Sequence, residues 1–205
     1  MFNKKEARQT VETIVIAILV ALFIRTFIIQ SFYIPSGSME PSLLPGDYIL
    51  VSKFIYGIRI PFVNTRMFSY NEPKRGDVIV FIYPKDPSKD FIKRVIGVPG
   101  ETVQIIEGKI YINNMPIPDP WGYFDEKEPQ GFREAVENFG PVVVPDRCLF
   151  VMGDNRNDSE DSRFWGVVPP GNVLGKAFVI YFSWNSKAEN IAGKVRWSRL
   201  GELIH

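Results

Sequence analysis

Asp77-Val78-Ile79-Val80-Phe81-Ile82-Tyr83 and, further on, Phe91-Ile92-Lys93-Arg94-Val95 are the stretches on which the fold turns. Each is a short apolar run, rich in β-branched and aromatic residues, and reads as a buried strand. Working outward, Tyr48-Ile49-Leu50-Val51, Leu149-Phe150-Val151-Met152 and Ala177-Phe178-Val179-Ile180-Tyr181-Phe182 repeat the pattern. Val103 to Ile112 alternates around Glu107-Gly108, a hairpin turn. Turn signals separate the runs: Pro45-Gly46-Asp47, Arg75-Gly76-Asp77, Pro99-Gly100-Glu101 and Pro169-Pro170-Gly171. Many short strands among 16 Gly and 16 Pro predict a mainly β protein, its antiparallel sheets forming a coiled, barrel-like domain. Asn113 to Pro141 is polar, contains a candidate short helix at Phe132 to Asn138, and reads as an insertion. Residues 186–205 read as a polar tail.

At 205 residues, 45% hydrophobic and 14% aromatic, the chain can pack one domain of good size. Its 24 basic and 23 acidic residues form no basic stripe, which argues against a nucleic-acid partner. Cys148 is the single cysteine, so no intramolecular disulfide is possible; it reads as a half-buried strand residue.

The N-terminus carries targeting information. Lys4, Lys5 and Arg8 precede Ile14 to Ile24, a run without a polar side chain; Arg25 and Thr26 interrupt it before Phe27-Ile28-Ile29. No small-x-small cleavage triplet follows, so an uncleaved transmembrane anchor over residues 10–30 is expected rather than a removed signal peptide. The basic flank places residues 1–9 in the cytoplasm and everything beyond the anchor outside. The expected organisation is therefore a single-pass protein: anchor, extracytoplasmic β-domain over 31–185 with the 113–141 insertion, and tail.

Three segments carry chemistry: Ser36-Gly37-Ser38-Met39 with Pro41, Lys93-Arg94-Val95-Ile96-Gly97, and Gly153-Asp154-Asn155-Arg156 with Ser159, Asp161, Ser162 and Arg163. The only histidine is His205, so a Ser-His-Asp arrangement lacks a well-placed imidazole. A lysine base must be neutral, and its reference pKa of about 10.4 must fall by roughly three units. Burial can supply the cause, because an apolar setting disfavours the ammonium; Phe91, Ile92, Val95 and Ile96 are neighbours suited to it, although Ile92 points opposite to Lys93 on a strand. Taken singly, the Pro-Ser-Gly-Ser turn, the strand lysine and the Asx-type turn at Gly153-Asp154-Asn155 have ordinary structural explanations; their order behind an anchor is what makes them specific.

These motifs, from Ile34-Pro35-Ser36-Gly37-Ser38-Met39-Glu40-Pro41-Ser42-Leu43 through Gly46-Asp47-Tyr48-Ile49-Leu50-Val51, Arg75 to Phe81, Phe91 to Gly97 and Gly153 to Arg163, resemble those of the bacterial type I signal peptidases. The resemblance covers the anchor and nearly all of residues 30–184. It implies a membrane-bound Ser-Lys endopeptidase that removes signal peptides from exported preproteins, cutting after small residues in Ala-x-Ala. By the same resemblance Ser38 is the nucleophile and Lys93 the general base. Ser36 and the Ser38 amide make the oxyanion hole, Ser159 orients Lys93, and Asp161 and Arg163 brace the site. Ile34, Pro35, Met39 and Ile92 line the substrate pockets. It further implies no cofactor and no metal, membrane lipid as a partner, a monomer, and the bacterial cytoplasmic membrane as location. Ser42 stands where the family often has threonine, and Asn157-Asp158 transposes a common Asp-Asn pair.

A self-cleaving Ser-Lys repressor shares the chemistry but needs a DNA-binding domain in place of the anchor. Penicillin-binding enzymes use Ser-x-x-Lys, a spacing absent here. A leader peptidase of an organelle or conjugation system, and a catalytically inactive peptide-binding module, are the remaining alternatives.

Overall fold

The computed structural model describes residues 4–59, 66–67, 71–124 and 136–205. Helix α1, Lys4–Phe27, holds the apolar run. Its Arg8–Thr26 stretch is long and apolar enough to cross a membrane, and none of it is buried against the rest of the chain. The helix stops before residue 30. Ile28 is a turn, and Ile29–Tyr33 forms strand β1, so the last residues expected in the anchor belong to the β-domain. The cause is tertiary. Every residue of β1 pairs with β2, Asp47–Ser52, in the register Ile29↔Ser52 to Tyr33↔Tyr48.

The β-domain is mainly antiparallel, as the sequence predicts. Its further strands are β3 (Ile58–Arg59), β4 (Arg66–Met67), β5 (Val78–Ile82), β6 (Asp90–Gly97), β7 (Thr102–Ile106), β8 (Lys109–Ile112), β9 (Met115–Pro116), β10 (Phe139–Val143), β11 (Phe150–Met152) and β12 (Val173–Ser183). A six-stranded sheet runs β1-β2-β12-β5-β6-β11, a four-stranded sheet runs β10-β7-β8-β9, and β3 pairs with β4. The β7–β8 hairpin turns at Glu107 (φ 49°) and Gly108 (φ 74°), the two positive φ values that a primed two-residue turn requires.

Strand β5 explains why its sequence is apolar without alternation: both faces are covered. Val78 and Val80 enter one core cluster with Ile34, Met39, Leu43, Ile49, Val51, Ala177 and Ile180. Ile79, Phe81 and Tyr83 enter a second with Val95, Leu149, Val151, Trp165 and Val173. Residues Ile96, Val103, Ile105, Ile110, Ile112, Phe150 and Met152 build a third core beneath the four-stranded sheet.

One expectation falls largely outside the described residues and one is revised. Most of the candidate helix Phe132 to Asn138 lies outside the described residues, with Val136 and Glu137 helical. The C-terminal segment is no loose tail. Arg199 bonds the buried Asp47 carboxylate through Nε and Nη2, Leu203 bridges to Val179, Ile204 packs on the first core cluster, and the His205 carbonyl accepts from Arg94. Cys148 is half-buried, as expected, beside the third core.

Candidate active site

Strand alternation decides where Lys93 points. Phe91 and Val95 pack into the second core cluster and Ile92 into the first, so Lys93 shares a face with Phe91 and Val95. Its cross-strand partner is Ile79. Only 4% of Lys93 is exposed, and its Nζ lies 2.6 Å from Ser38 Oγ, joining residues 55 apart in sequence. Ser38 itself sits in the turn that follows Pro35-Ser36-Gly37, where the Glu40 amide donates to the Gly37 carbonyl and the Leu43 amide to that of Met39. Met39, 1% exposed, anchors this turn in the core, which fixes Ser38 against β6.

Burial pushes the Lys93 ammonium down to about 8. The carboxylates of Asp161, Asp154, Asp158 and Glu160 act in the other direction, and desolvation prevails. A substantial neutral fraction near pH 8 gives an amine able to accept the proton of the hydroxyl it touches.

The loop from Gly153 to Arg163 closes the other side. The Gly153 amide donates to Ser159 Oγ (3.1 Å) and to Asp161 Oδ2 (3.0 Å), and the Asn155 amide donates to the Ser38 carbonyl (3.2 Å). A Cβ on Gly153 would collide with Ser159 Oγ and the Ser38 carbonyl oxygen, so glycine is required for this approach. Asp161 caps helix α2, Ser162–Trp165, and receives Arg163 Nε and Nη2 at 2.9 Å each. Arg163 also donates to the carbonyls of Arg156 and Val136, so it ties the loop to the segment around Val136.

The remaining expected residues fall into two groups. Ile34 and Met39 lie deep in one apolar cluster with half-buried Ile92 against it, whereas Ser36 and Pro35 are exposed. Ser159, expected to orient Lys93, accepts a hydrogen bond from the Gly153 amide.

Several positioning residues carried little sequence signal. Arg94, next to Lys93 but on the opposite face, is fully buried and clamps Asp154 through Nε (2.7 Å) and Nη2 (2.6 Å). It also donates to the Gly76 carbonyl and lies 4.6 Å from the Trp121 ring centroid. Arg156 bonds the Gly153 carbonyl and both oxygens of Asp119. Tyr123 exchanges backbone bonds with Asp154 and Arg156. The first part of the insertion thus backs the loop that backs Ser38. The arginine flanking Lys93 was visible in the sequence; its burial and its partners were not.

A family model described as signal peptidase, peptidase S26, matches residues 7–184. The chain belongs to the peptidase S26 signal peptidase family. This is a family of serine peptidases. The signal peptidase I of Pseudomonas aeruginosa is 38% identical over 91% of this chain and 75% of its own length. That of Aquifex aeolicus is 38% identical over 86% and 84%, and that of Leptolyngbya laminosa 39% over 88% and 82%. This S26 peptidase carries its Ser38–Lys93 contact inside the span that the family model matches, and helix α1 overlaps the start of that span.

Proposed function

We propose that Ser38 and Lys93 are the nucleophile and general base with which this chain removes N-terminal signal peptides from exported preproteins. The observation that carries the reading is the 2.6 Å approach of a buried, partly neutral amine to a serine hydroxyl in an S26 peptidase. Ser38 Oγ attacks the scissile carbonyl while its proton passes to Lys93 Nζ. The Ser36 hydroxyl and the Ser38 amide donate to the oxyanion. Lys93 then gives its proton to the leaving amine, and the ester on Ser38 remains. Water, deprotonated by the same lysine, releases the acid and restores Ser38. Ser159 orients the amine, and Asp161 with Arg163 holds the loop. Ile34, Pro35, Met39 and Ile92 favour small residues at the cut, as in Ala-x-Ala; Ile34 and Met39 are buried in one apolar cluster with Ile92 packed against it.

Helix α1 supports a reading of the placement as well. Anchored with its basic end in the cytoplasm, a monomer carries the β-domain on the outer face of the bacterial cytoplasmic membrane, in contact with lipid. Tethering there raises the effective concentration of membrane-held substrate. The test is incubation of detergent-solubilised protein with an Ala-x-Ala preprotein and location of the cut by mass. Cleavage after the second Ala, absent in Ser38→Ala and Lys93→Arg, is expected; guanidinium cannot act as a base. Turnover unchanged in either variant assigns the chemistry elsewhere.

A further inference from the structure

Glu160 lies between Ser159 and Asp161, yet it belongs to neither of their hydrogen-bond sets. Its exposed side chain reaches across to β5's flank and accepts the Tyr83 hydroxyl at 3.0 Å. Tyr83 is buried. Its ring stacks on Phe91 at 4.3 Å between centroids and 7° between planes, and packs edge-on to Trp165 at 5.7 Å. The Phe91 ring in turn lies 5.7 Å from Lys93 Nζ. An unbroken line of contact therefore runs from a surface carboxylate, through two stacked rings, to the buried amine.

We propose that Glu160, held beside the stacked rings by the Tyr83 hydroxyl, is a positioning residue whose carboxylate sets the pH at which Lys93 works. The inference rests on the reading of Lys93 as the base. Two effects of opposite sign are built into the pair. The stacked rings exclude water and favour the neutral amine. The carboxylate favours the ammonium through space. Of the other carboxylates that act on Lys93, two are held in ion pairs. Asp161 is paired with Arg163 and Asp154 with Arg94, while exposed Asp158 adds a further negative charge. From the turn between β5 and β6, Lys89 pairs with Asp86, and both act on the Glu160–Tyr83 end. Glu160 is thus the carboxylate near Lys93 that is accessible to solvent and tethered by a neutral hydroxyl.

The experiment is the pH profile of kcat/KM for the full chain in detergent on an Ala-x-Ala peptide. Glu160→Gln keeps the shape and removes the charge. Its acid limb moves about 0.5 pH unit lower, read as about a threefold gain in rate on the acid side. Tyr83→Phe keeps the stack and releases the carboxylate, so its limb moves the same way. Adding it to Glu160→Gln moves the limb no further. Tyr83→Leu opens the wall and moves the limb up. Because Glu160 is exposed, Glu160→Gln remains folded and decides the matter even if Tyr83→Leu does not fold. Profiles of Glu160→Gln and Tyr83→Phe that superimpose on the parent, or shifts that add in the double variant, overturn the proposal. A parent without an acid limb, or an active Lys93→Arg, instead fails the reading of Lys93 itself; an intact limb unmoved by Glu160→Gln fails only the role of Glu160.

Discussion

Arg94 and Asp154 form a doubly hydrogen-bonded ion pair with neither side chain exposed, and each is the immediate chain neighbour of a residue at the site, Lys93 and Gly153. The pair bolts strand β6 to the loop that touches Ser38. Removing one partner leaves an uncompensated buried charge, which costs about 3–5 kcal/mol. Asp154→Ala is expected to lose that much in urea unfolding and to lose activity with it. A loss below about 1 kcal/mol means the pair does not hold the two elements together.

Lys93 couples activity to stability with a definite sign. Its folded value of about 8 lies below the ordinary lysine value of 10.5, so between those pH values the unfolded chain holds the proton more tightly. Stability therefore rises with pH across that window. The cost of burying the lysine is complete below pH 8 and gone above 10.5. Lys93→Met is expected to be inactive yet more stable than the parent at pH 7, by up to about 3 kcal/mol, with the gain shrinking toward pH 10.5. Denaturation curves at pH 7 and pH 10 check this; a gain independent of pH points to packing alone.

The same group governs the rate. Activity is expected to rise through an acid limb centred near pH 8 in the free enzyme, because only the neutral amine accepts the Ser38 proton. A limb centred below pH 6 in kcat/KM assigns the titration to a carboxylate instead.

Ser36 is exposed beside the turn that carries Ser38. If its hydroxyl donates to the oxyanion, Ser36→Ala lowers kcat by about 10² to 10³ and leaves KM nearly unchanged. Ser36→Thr, which keeps the donor, restores part of the rate. Equal loss in both variants assigns Ser36 to the turn rather than to the intermediate.

The end of the chain contributes to the fold. Arg199 supplies the 2.7 Å partner of Asp47, a fully buried carboxylate that also accepts from Ser183 and from the Leu44 amide. Arg199→Ala is expected to cost about 2–3 kcal/mol, less than a full buried-pair break because Ser183 and Arg196 remain. Likewise, a soluble β-domain that begins at Ile28 is expected to be more stable than one that begins at Phe32, which removes Ile29 to Ser31 and their pairing with Val51 and its neighbours on β2. Equal melting temperatures for the two truncations mean that the start of β1 adds nothing.

The sequence by itself determined what depends on near neighbours. Apolar runs gave the strand at 78–82 and the Ala177 to Phe182 part of the strand at 173–183, the Glu107-Gly108 pair gave the hairpin, and the uninterrupted run Ile14 to Ile24 gave the helix. It also presented Ser38, Lys93 and the Gly153 to Arg163 loop as three recognisable segments. What it could not determine was whatever depended on partners far along the chain. Ile29 to Tyr33 follows the helix with no Gly or Pro to mark a break and becomes a strand because it pairs along its whole length with β2. Residues 197–205 look like solvated tail until Asp47, some 150 positions away, is seen to need a cation. The low value of Lys93 rests on Phe91 and the surrounding core excluding water, and burial is a property of the packed fold rather than of a residue and its neighbours.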